Sequence, residues 1–553
     1  MEPLFANVFY EITALLLLAA AAGFVALKLR QPLIVAFIAV GIVVGPAGLR
    51  WVTARDQVDL LATLGIALLL FVVGLKLDLH LIRSMGTVAL ATGLGQVLFT
   101  SVIGYFIALA LGLDHVPAIY VAVALTFSST IIIVKLLSDK REIDSLHGRI
   151  AVGFLIVQDI VVVLAMIALS AYGVAGGAKT GAGYEMLMVA VKGLGLLAAI
   201  GVFMRWGLPG LVHQLARSPE MLVLFGIAWA VALAALGDAL GFSKEVGAFL
   251  AGVSLASTPY REALSARLVS LRDFLLLFFF INLGAQLDLQ LLGAQLLPAV
   301  VLSLFVLIGN PLIVMVIMGA MGYRKRTGFL AGLTVAQISE FSLILGALGV
   351  SLGHIDHDIL GLITLVGLVT IGLSTYMILY SHSLYERFAQ RLGAFERRVP
   401  YRELALENGA PPPAADVILF GLGRYGDNLA RELRHRGASV FGADFDPQAI
   451  RAWREAGQPA QYGDAEDPEF PGTLPLAQAR WVVCTVPSRD VGLALLHALR
   501  THGFRGRIAL TAHSEVDAAL LREKGADIVL LPFTDAAGEA ARTLAESLTR
   551  GGA

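Results

Sequence analysis

Two groups of residues in this chain have types and spacings that could do chemistry. The first is Gly421-Leu422-Gly423-Arg424-Tyr425-Gly426, a GxGxxG run that follows the apolar stretch 417–420 and opens a helix-forming one. Glycines at such a junction let backbone N–H groups and a helix N-terminus face a pyrophosphate. Asp444 follows about 20 residues on, at the end of the next apolar run, where a carboxylate takes ribose hydroxyls. Gly421, Gly423, Arg424, Tyr425, Gly426 and Asp444 are therefore candidate nucleotide-binding residues.

The second group lies in apolar surroundings. Asp159 sits within GFLIVQDIVVV at 153–163, beside Gln158. Burial there disfavours a bare carboxylate, so the group must hold a proton or a partly dehydrated cation. That is the minimum needed to exchange one for the other. Just upstream, Thr126-Phe127-Ser128-Ser129-Thr130 puts a polar break in the apolar stretch 115–138. A broken helix at the bilayer midplane exposes carbonyls and half-helix ends to an ion. A later set repeats the theme: Asn282 interrupts FFFINLG, Asn310-Pro311 breaks the stretch 293–320, and Gln337, Ser339 and Glu340 follow. Polar breaks in both halves suggest an inverted repeat.

Composition states what must position these groups. Of 553 residues, 57% are apolar and only 15% charged, and the mean hydropathy is +0.78. A soluble protein carries about 25% charged residues, so most of this chain belongs in a bilayer. Spans are expected near 8–28, 32–48, 58–76, 85–111, 115–138, 146–172 and 184–205. Six more are expected near 219–239, 243–257, 264–287, 293–320, 325–352 and 357–382. The fold expected is a polytopic α-helical membrane protein of about thirteen transmembrane helices. Lys and Arg crowd alternate connections, from Lys28 and Arg30 through Lys140 and Arg149 to Arg324, Lys325 and Arg326. The opposite set holds little beyond Arg50, Arg55, Lys179 and Lys244. This asymmetry places the N-terminus outside and the C-terminus in the cytoplasm of a cell inner (plasma) membrane. Met1 to Asn7 carries no Lys or Arg and reads as the approach to a retained span.

The expected domains are a transmembrane region over 1–385, a basic and Pro-rich linker over 386–413, and a cytoplasmic α/β region over 414–553. Strands are expected at 417–420, 439–444, 480–486, 507–512 and 527–532, alternating with helices as in a doubly wound parallel sheet. The formal charge of −1 speaks against nucleic acid as a partner. The single cysteine, Cys484, reads as a buried apolar group. His354 and His357 read as solvated loop residues.

With these residues the chain resembles the Kef-type monovalent cation/proton antiporters of the second cation:proton antiporter family. The resemblance runs through Gln31-Pro32-Leu33, Gly45-Pro46, Gly74-Leu75, Ser128-Ser129-Thr130, Gln158-Asp159, Phe279-Phe280 and Gln337 to Glu340-Phe341. The C-terminal region is similar to the domain that regulates conductance of potassium, with further marks at Asp444-Phe445-Asp446-Pro447 and Tyr462-Gly463-Asp464-Ala465. The resemblance implies an inverted-repeat antiporter fold, a homodimer, and a Rossmann-like domain that senses NAD(H) or an adenine nucleotide such as AMP or ATP, with Asp464 joining that site. It further implies that Asp159 carries K+ or Na+ in exchange for a proton, with Gln158, Thr126, Ser128, Ser129, Asn310 and Glu340 around it. Relatives commonly carry Lys where this chain has Asn310. With Gln158 in place of the second acid of electrogenic relatives, one proton is expected to exchange for one cation.

A channel-like or uncoupled cation pathway would share the same sensor but lack proton counterflux. A membrane-anchored redox enzyme using NAD would need a substrate pocket, and only about one Rossmann unit's worth of chain follows the linker.

Overall fold

The computed structural model describes residues 7–46, 48, 49, 51, 55–76, 87–140, 142, 143, 145–176, 191, 195, 198–240, 242–287, 292–397, 413–467 and 470–550. The expected span 184–205 and the expected linker 386–413 lie largely outside them. The chain forms two compact units, one comprising most of the sequence to Phe395 and one comprising Glu396 onward with two short loop segments.

Among its described residues, the first unit consists of helices and the turns that join them. Its elements are α1 (Val8–Lys28), α2 (Leu33–Val44), α3 (Arg55–Lys76), α4 (Thr87–Ala110), α5 (His115–Ala124), α6 (Thr130–Asp139), α7 (Leu146–Gly176) and α8 (Leu208–Leu215). There follow α9 (Pro219–Ala239), α10 (Lys244–Leu255), α11 (Arg261–Ala285), α12 (Leu292–Leu304), α13 (Asn310–Ala320), α14 (Lys325–Leu333), α15 (Glu340–Ser351), α16 (His357–Leu379) and α17 (Ser381–Phe388). Among the described residues, eight helices are long and apolar enough to cross a membrane. Their outer faces carry large apolar side chains such as Phe9, Leu17, Leu98, Phe106, Leu164 and Leu297, all exposed. Water would not tolerate so continuous a belt, and lipid tails do. Inside, packing relies on small residues: a Cβ on Gly41 would lie 2.2 Å from the Ile281 carbonyl, and one on Gly284 2.2 Å from that of Ile38. Such contacts let α2 and α11 approach backbone to backbone.

Two expected spans are broken helices. α5 and α6 are separated by Leu125–Ser129, and α14 and α15 by Thr334–Ser339. The second break therefore does not fall at Asn310-Pro311. There the helix continues from α12 through a π-helical turn, Phe305–Gly309, into α13. The wider turn accommodates a proline that has no N–H for the ladder. Nor does Asn282 interrupt anything: α11 runs through it, and its side-chain amide donates to Asp59 Oδ1 at 3.2 Å.

The second unit holds β1 (Val417–Phe420), α18 (Arg424–His435), β2 (Val440–Asp444), α19 (Pro447–Glu455), β3 (Ala460–Tyr462), β4 (Trp481–Cys484), α20 (Arg489–Thr501), β5 (Arg507–Thr511), α21 (Glu515–Glu523), β6 (Ile528–Leu530) and α22 (Pro532–Arg550). The six strands are all parallel, in the order β3-β2-β1-β4-β5-β6. The strand β3 is not among those expected from sequence. Three residues between Pro459 and Gly463 are too few to show a periodicity. Ile418, Phe420, Val482, Cys484 and Leu510 form one face of the core, and Val417, Leu419, Val440 and Val483 the other. Burial pushes the Cys484 thiol up to about 12, so it packs as an apolar group and forms no thiolate.

Candidate functional site

The break in the first half is built to satisfy backbone groups that have no helical partner. The last four carbonyls of an α-helix are orphans, and in a bilayer no water reaches them. Here the four carbonyls from Val123 to Thr126 each accept from a side chain, and Val123 O also accepts from Thr126 N at 3.1 Å. Val123 O accepts from Thr126 Oγ1 at 2.7 Å, and Ala124 O accepts from Ser342 Oγ of α15 at 2.6 Å. Leu125 O accepts from Asn310 Nδ2 of α13 at 3.0 Å, and Thr126 O from Gln96 Nε2 of α4 at 3.2 Å. The other side of the break begins α6, where Ser129 Oγ accepts from Ile132 N as an N-cap.

The sequence-derived candidates meet around this break. Asp159, in α7, is partly buried, and its Oδ2 accepts from Thr130 Oγ1 at 3.0 Å. Gln158 is fully buried: its Oε1 accepts from Ser128 N at 3.0 Å and its Nε2 donates to Gln96 Oε1 at 2.7 Å. Ser128 Oγ is buried without a partner. Asn310 is fully buried; its Oδ1 accepts from Thr100 Oγ1 at 3.0 Å. Glu340 opens α15, buried, with Ser339 Oγ donating to it at 3.2 Å. Glu340 and Lys76 both lie within electrostatic reach of Asp159.

Four participants, Thr130, Gln96, Thr100 and Ser342, are not among the site residues singled out from sequence. Thr130 stands inside the polar run 126–130, where nothing sets it apart from its neighbours. Gln96 and Thr100 lie in ATGLGQVLFTSVIG, where a glutamine at mid-span is the available signal. His354, expected to be solvated, is half-buried, with its Nδ1 2.7 Å from the Tyr120 hydroxyl.

Elsewhere in this unit, the loop joining α6 to α7 carries Glu142, which pairs with Lys140 Nζ at 2.8 Å, His382 Nε2 at 2.7 Å and His147 Nε2 at 3.2 Å. Burial opposes its charge, but the hydrogen bonds from His147 and His382 and the nearby Lys140 ammonium hold the carboxyl well below its usual range. A cavity of about 390 Å³ is lined by Asp59, Asp238, Lys244, Glu245, Asn282 and Gln286 among others.

In the second unit, Gly421 has φ +90°, and a Cβ there would lie 2.6 Å from Thr485 Oγ1. A Cβ on Gly426 would lie 1.9 Å from the Gly421 carbonyl, so this glycine seats α18 against the turn. Gly423 caps α18, and a methyl group placed on it would meet nothing within 4 Å, so the space before the helix N-terminus is open. Arg424 and Tyr425 form the first turn. Asp444 ends β2; its carboxylate accepts from Leu422 N at 2.5 Å and Asp446 N at 2.8 Å. Burial raises its pKa although both hydrogen bonds favour the charged form. Asp464 follows β3 and accepts from Glu466 N at 3.0 Å. The turn lies where the strand order reverses between β1 and β4, the usual place for a nucleotide in such a sheet.

A family model described as sodium/hydrogen exchanger, transmembrane, matches residues 13–379. The chain belongs to that family. The exchanger is thus a multi-pass membrane cation/proton antiporter, a transporter and not an enzyme. Residues 417–532 match the TrkA-N domain, so the antiporter carries a domain of a nucleotide-binding kind. It is 26% identical to YbaL of Escherichia coli (strain K12), a protein named for cation/proton antiport, over 96% of both chains. It is 29% identical to KefB of Alkalimonas amylolytica, named for K(+) efflux antiport, over 92% of this chain and 76% of that one. A solved TrkA-N domain of the inner membrane protein ybaL from Escherichia coli covers 25% of this chain and 98% of that one, at 25% identity and a TM-score of 0.22.

Proposed function

We propose that the exchanger moves potassium against protons at Asp159 under the control of a nucleotide bound to its C-terminal domain. The observation that carries this reading is Asp159 itself, a mid-span carboxylate held by Thr130 beside a broken helix. Ser128 offers an unpartnered hydroxyl at the same break. Thr126, Ser129, Gln158, Asn310 and Glu340 complete the surroundings. Ionised Asp159 takes a partly dehydrated cation, and protonated Asp159 releases it, so one proton replaces one cation. The names of relatives in potassium efflux support potassium over sodium.

The domain limits are 1–385 for transport, 386–413 for the linker and 414–553 for the sensor, with the N-terminus outside and the sensor in the cytoplasm of the inner membrane. The transporter works as a homodimer. Gly421, Gly423, Gly426, Arg424 and Tyr425 hold the phosphates of NAD(H), AMP or ATP, while Asp444 and Asp464 take its ribose side.

The test is a proteoliposome assay that follows proton and cation movement together, with potassium and sodium compared. Wild-type protein is expected to couple the two fluxes, and Asp159→Asn to abolish exchange while folding normally. Coupled exchange that persists in Asp159→Asn ends the carrier reading. Potassium flux without proton flux would make the protein an uncoupled pathway.

A further inference from the structure

Gln96 does more than fill space in α4. Its amide touches three partners at once. Nε2 donates to Thr126 O at 3.2 Å and to Thr100 Oγ1 at 3.1 Å, and Oε1 accepts from Gln158 Nε2 at 2.7 Å. Gln158 in turn accepts from Ser128 N. The two glutamines thus form a bracket across the break, holding the carbonyl of Thr126 at one end and the N–H of Ser128 at the other. On the far side of Gln96, Thr100 passes the chain on to Asn310, and Asn310 holds the neighbouring carbonyl of Leu125.

The consequence is chemical. Carbonyl oxygens of an unwound segment are natural ligands for a dehydrated cation. In this chain the carbonyls of Leu125 and Thr126 already accept from amides. Both polar atoms of Gln158 are also engaged within the protein. Among the side chains of the break, the Ser128 hydroxyl has no partner and the Thr130 hydroxyl donates to Asp159.

We infer that Gln96 is a positioning residue for cation selection: by holding Thr126 O and Gln158, it decides which oxygens of the broken helix remain for the transported ion. The ligand class is a monovalent cation, the cargo exchanged at Asp159. Gln96 touches no ion and exchanges no proton; it acts through Thr126, Gln158 and Ser128. Removing it frees the Thr126 carbonyl and lets the Ser128 backbone move, which changes the fit for ions of different radius.

This inference rests on Asp159 being the carrier, so the two are tested separately. Asp159→Asn reports on the carrier alone. For Gln96, full-length Gln96→Leu is reconstituted, and exchange is measured against potassium and sodium concentration. The KM for the preferred cation is expected to rise about ten-fold, while the maximal rate stays within about three-fold of wild type. The preference between potassium and sodium should shift by about three-fold or more, which a general loss of stability would not produce. If Gln96→Leu does not fold, Gln96→Asn reads the same quantities; its shorter amide cannot span both partners, and the same direction of change is expected. The inference is overturned if the folded variant keeps the wild-type KM and ion preference, or if its maximal rate falls with KM and preference unchanged.

Discussion

The break at 125–129 and the turn at 421–423 both suspend regular backbone beside a helix terminus, and they treat the freed groups in opposite ways. At the membrane break every carbonyl from Val123 to Thr126 has a side-chain donor drawn from its own segment or from α4, α13 or α15. At the glycine turn, Asp444 takes one loop N–H and the space before α18 stays open. The solvent explains the difference. An unpaired backbone group in hydrocarbon costs several kcal/mol, whereas one facing water costs little and can wait for an anion. The membrane site is thus made by other helices, and the nucleotide site by its own loop.

Four substitutions probe that contrast. Gly426→Val should do most damage, because its Cβ would lie 1.9 Å from the Gly421 carbonyl and 2.9 Å from Thr485 Oγ1. A loss of about 3 kcal/mol or more is expected for the C-terminal domain, read as protease sensitivity of 414–553 in the intact protein. A resistant domain would mean that the turn is not seated as described.

Asn310→Leu removes the donor to Leu125 O and the acceptor for Thr100. About 2 kcal/mol of stability should go with them, measured by thermal unfolding in detergent, because both groups are left unpaired in a buried place. An unchanged melting temperature would show that the break does not need its donors, and the contrast with the glycine turn would collapse.

Glu142→Gln separates the break from the loop that joins its second half to the Asp159 helix. The Glu142 carboxyl is held below its ordinary range, so its contribution is present at neutral pH and is lost only as pH falls toward its folded-state value. Replacing it should cost about 1 kcal/mol at neutral pH, and the gap from wild type should close under strongly acid conditions. A gap that widens on acidification would refute this sign.

Gly423→Val is expected to change stability least, within about 0.5 kcal/mol, because its side chain enters open space and its backbone is extended. Yet it should abolish nucleotide binding, read by calorimetry on the full-length protein with NAD(H), AMP and ATP. Retained binding would place the phosphates elsewhere.

Much of this was legible in the sequence because it is local. Helix α1 coincides with the span expected at 8–28 and α9 with that at 219–239, since twenty apolar residues define a span without help from neighbours. The glycine turn and Asp444 were legible for the same reason: one strand, one turn and one helix contain the whole device. Asn310 shows where such reading stops. Beside a proline it looked like a break, but the break lies at 334–339, and the helix passes Asn310 through a π turn.

The sequence by itself determined that a bilayer holds most of this chain, that an acid lies within it, and that a Rossmann turn follows. These rest on composition, length and contiguous motifs. Only the tertiary structure decided that Gln96, Asn310 and Ser342 supply donors to three successive carbonyls, from sequence distances of 30, 185 and 218 residues. No local pattern encodes which distant side chain answers an orphan carbonyl. That follows from how the helices cross, because in hydrocarbon only another region of the protein can satisfy it.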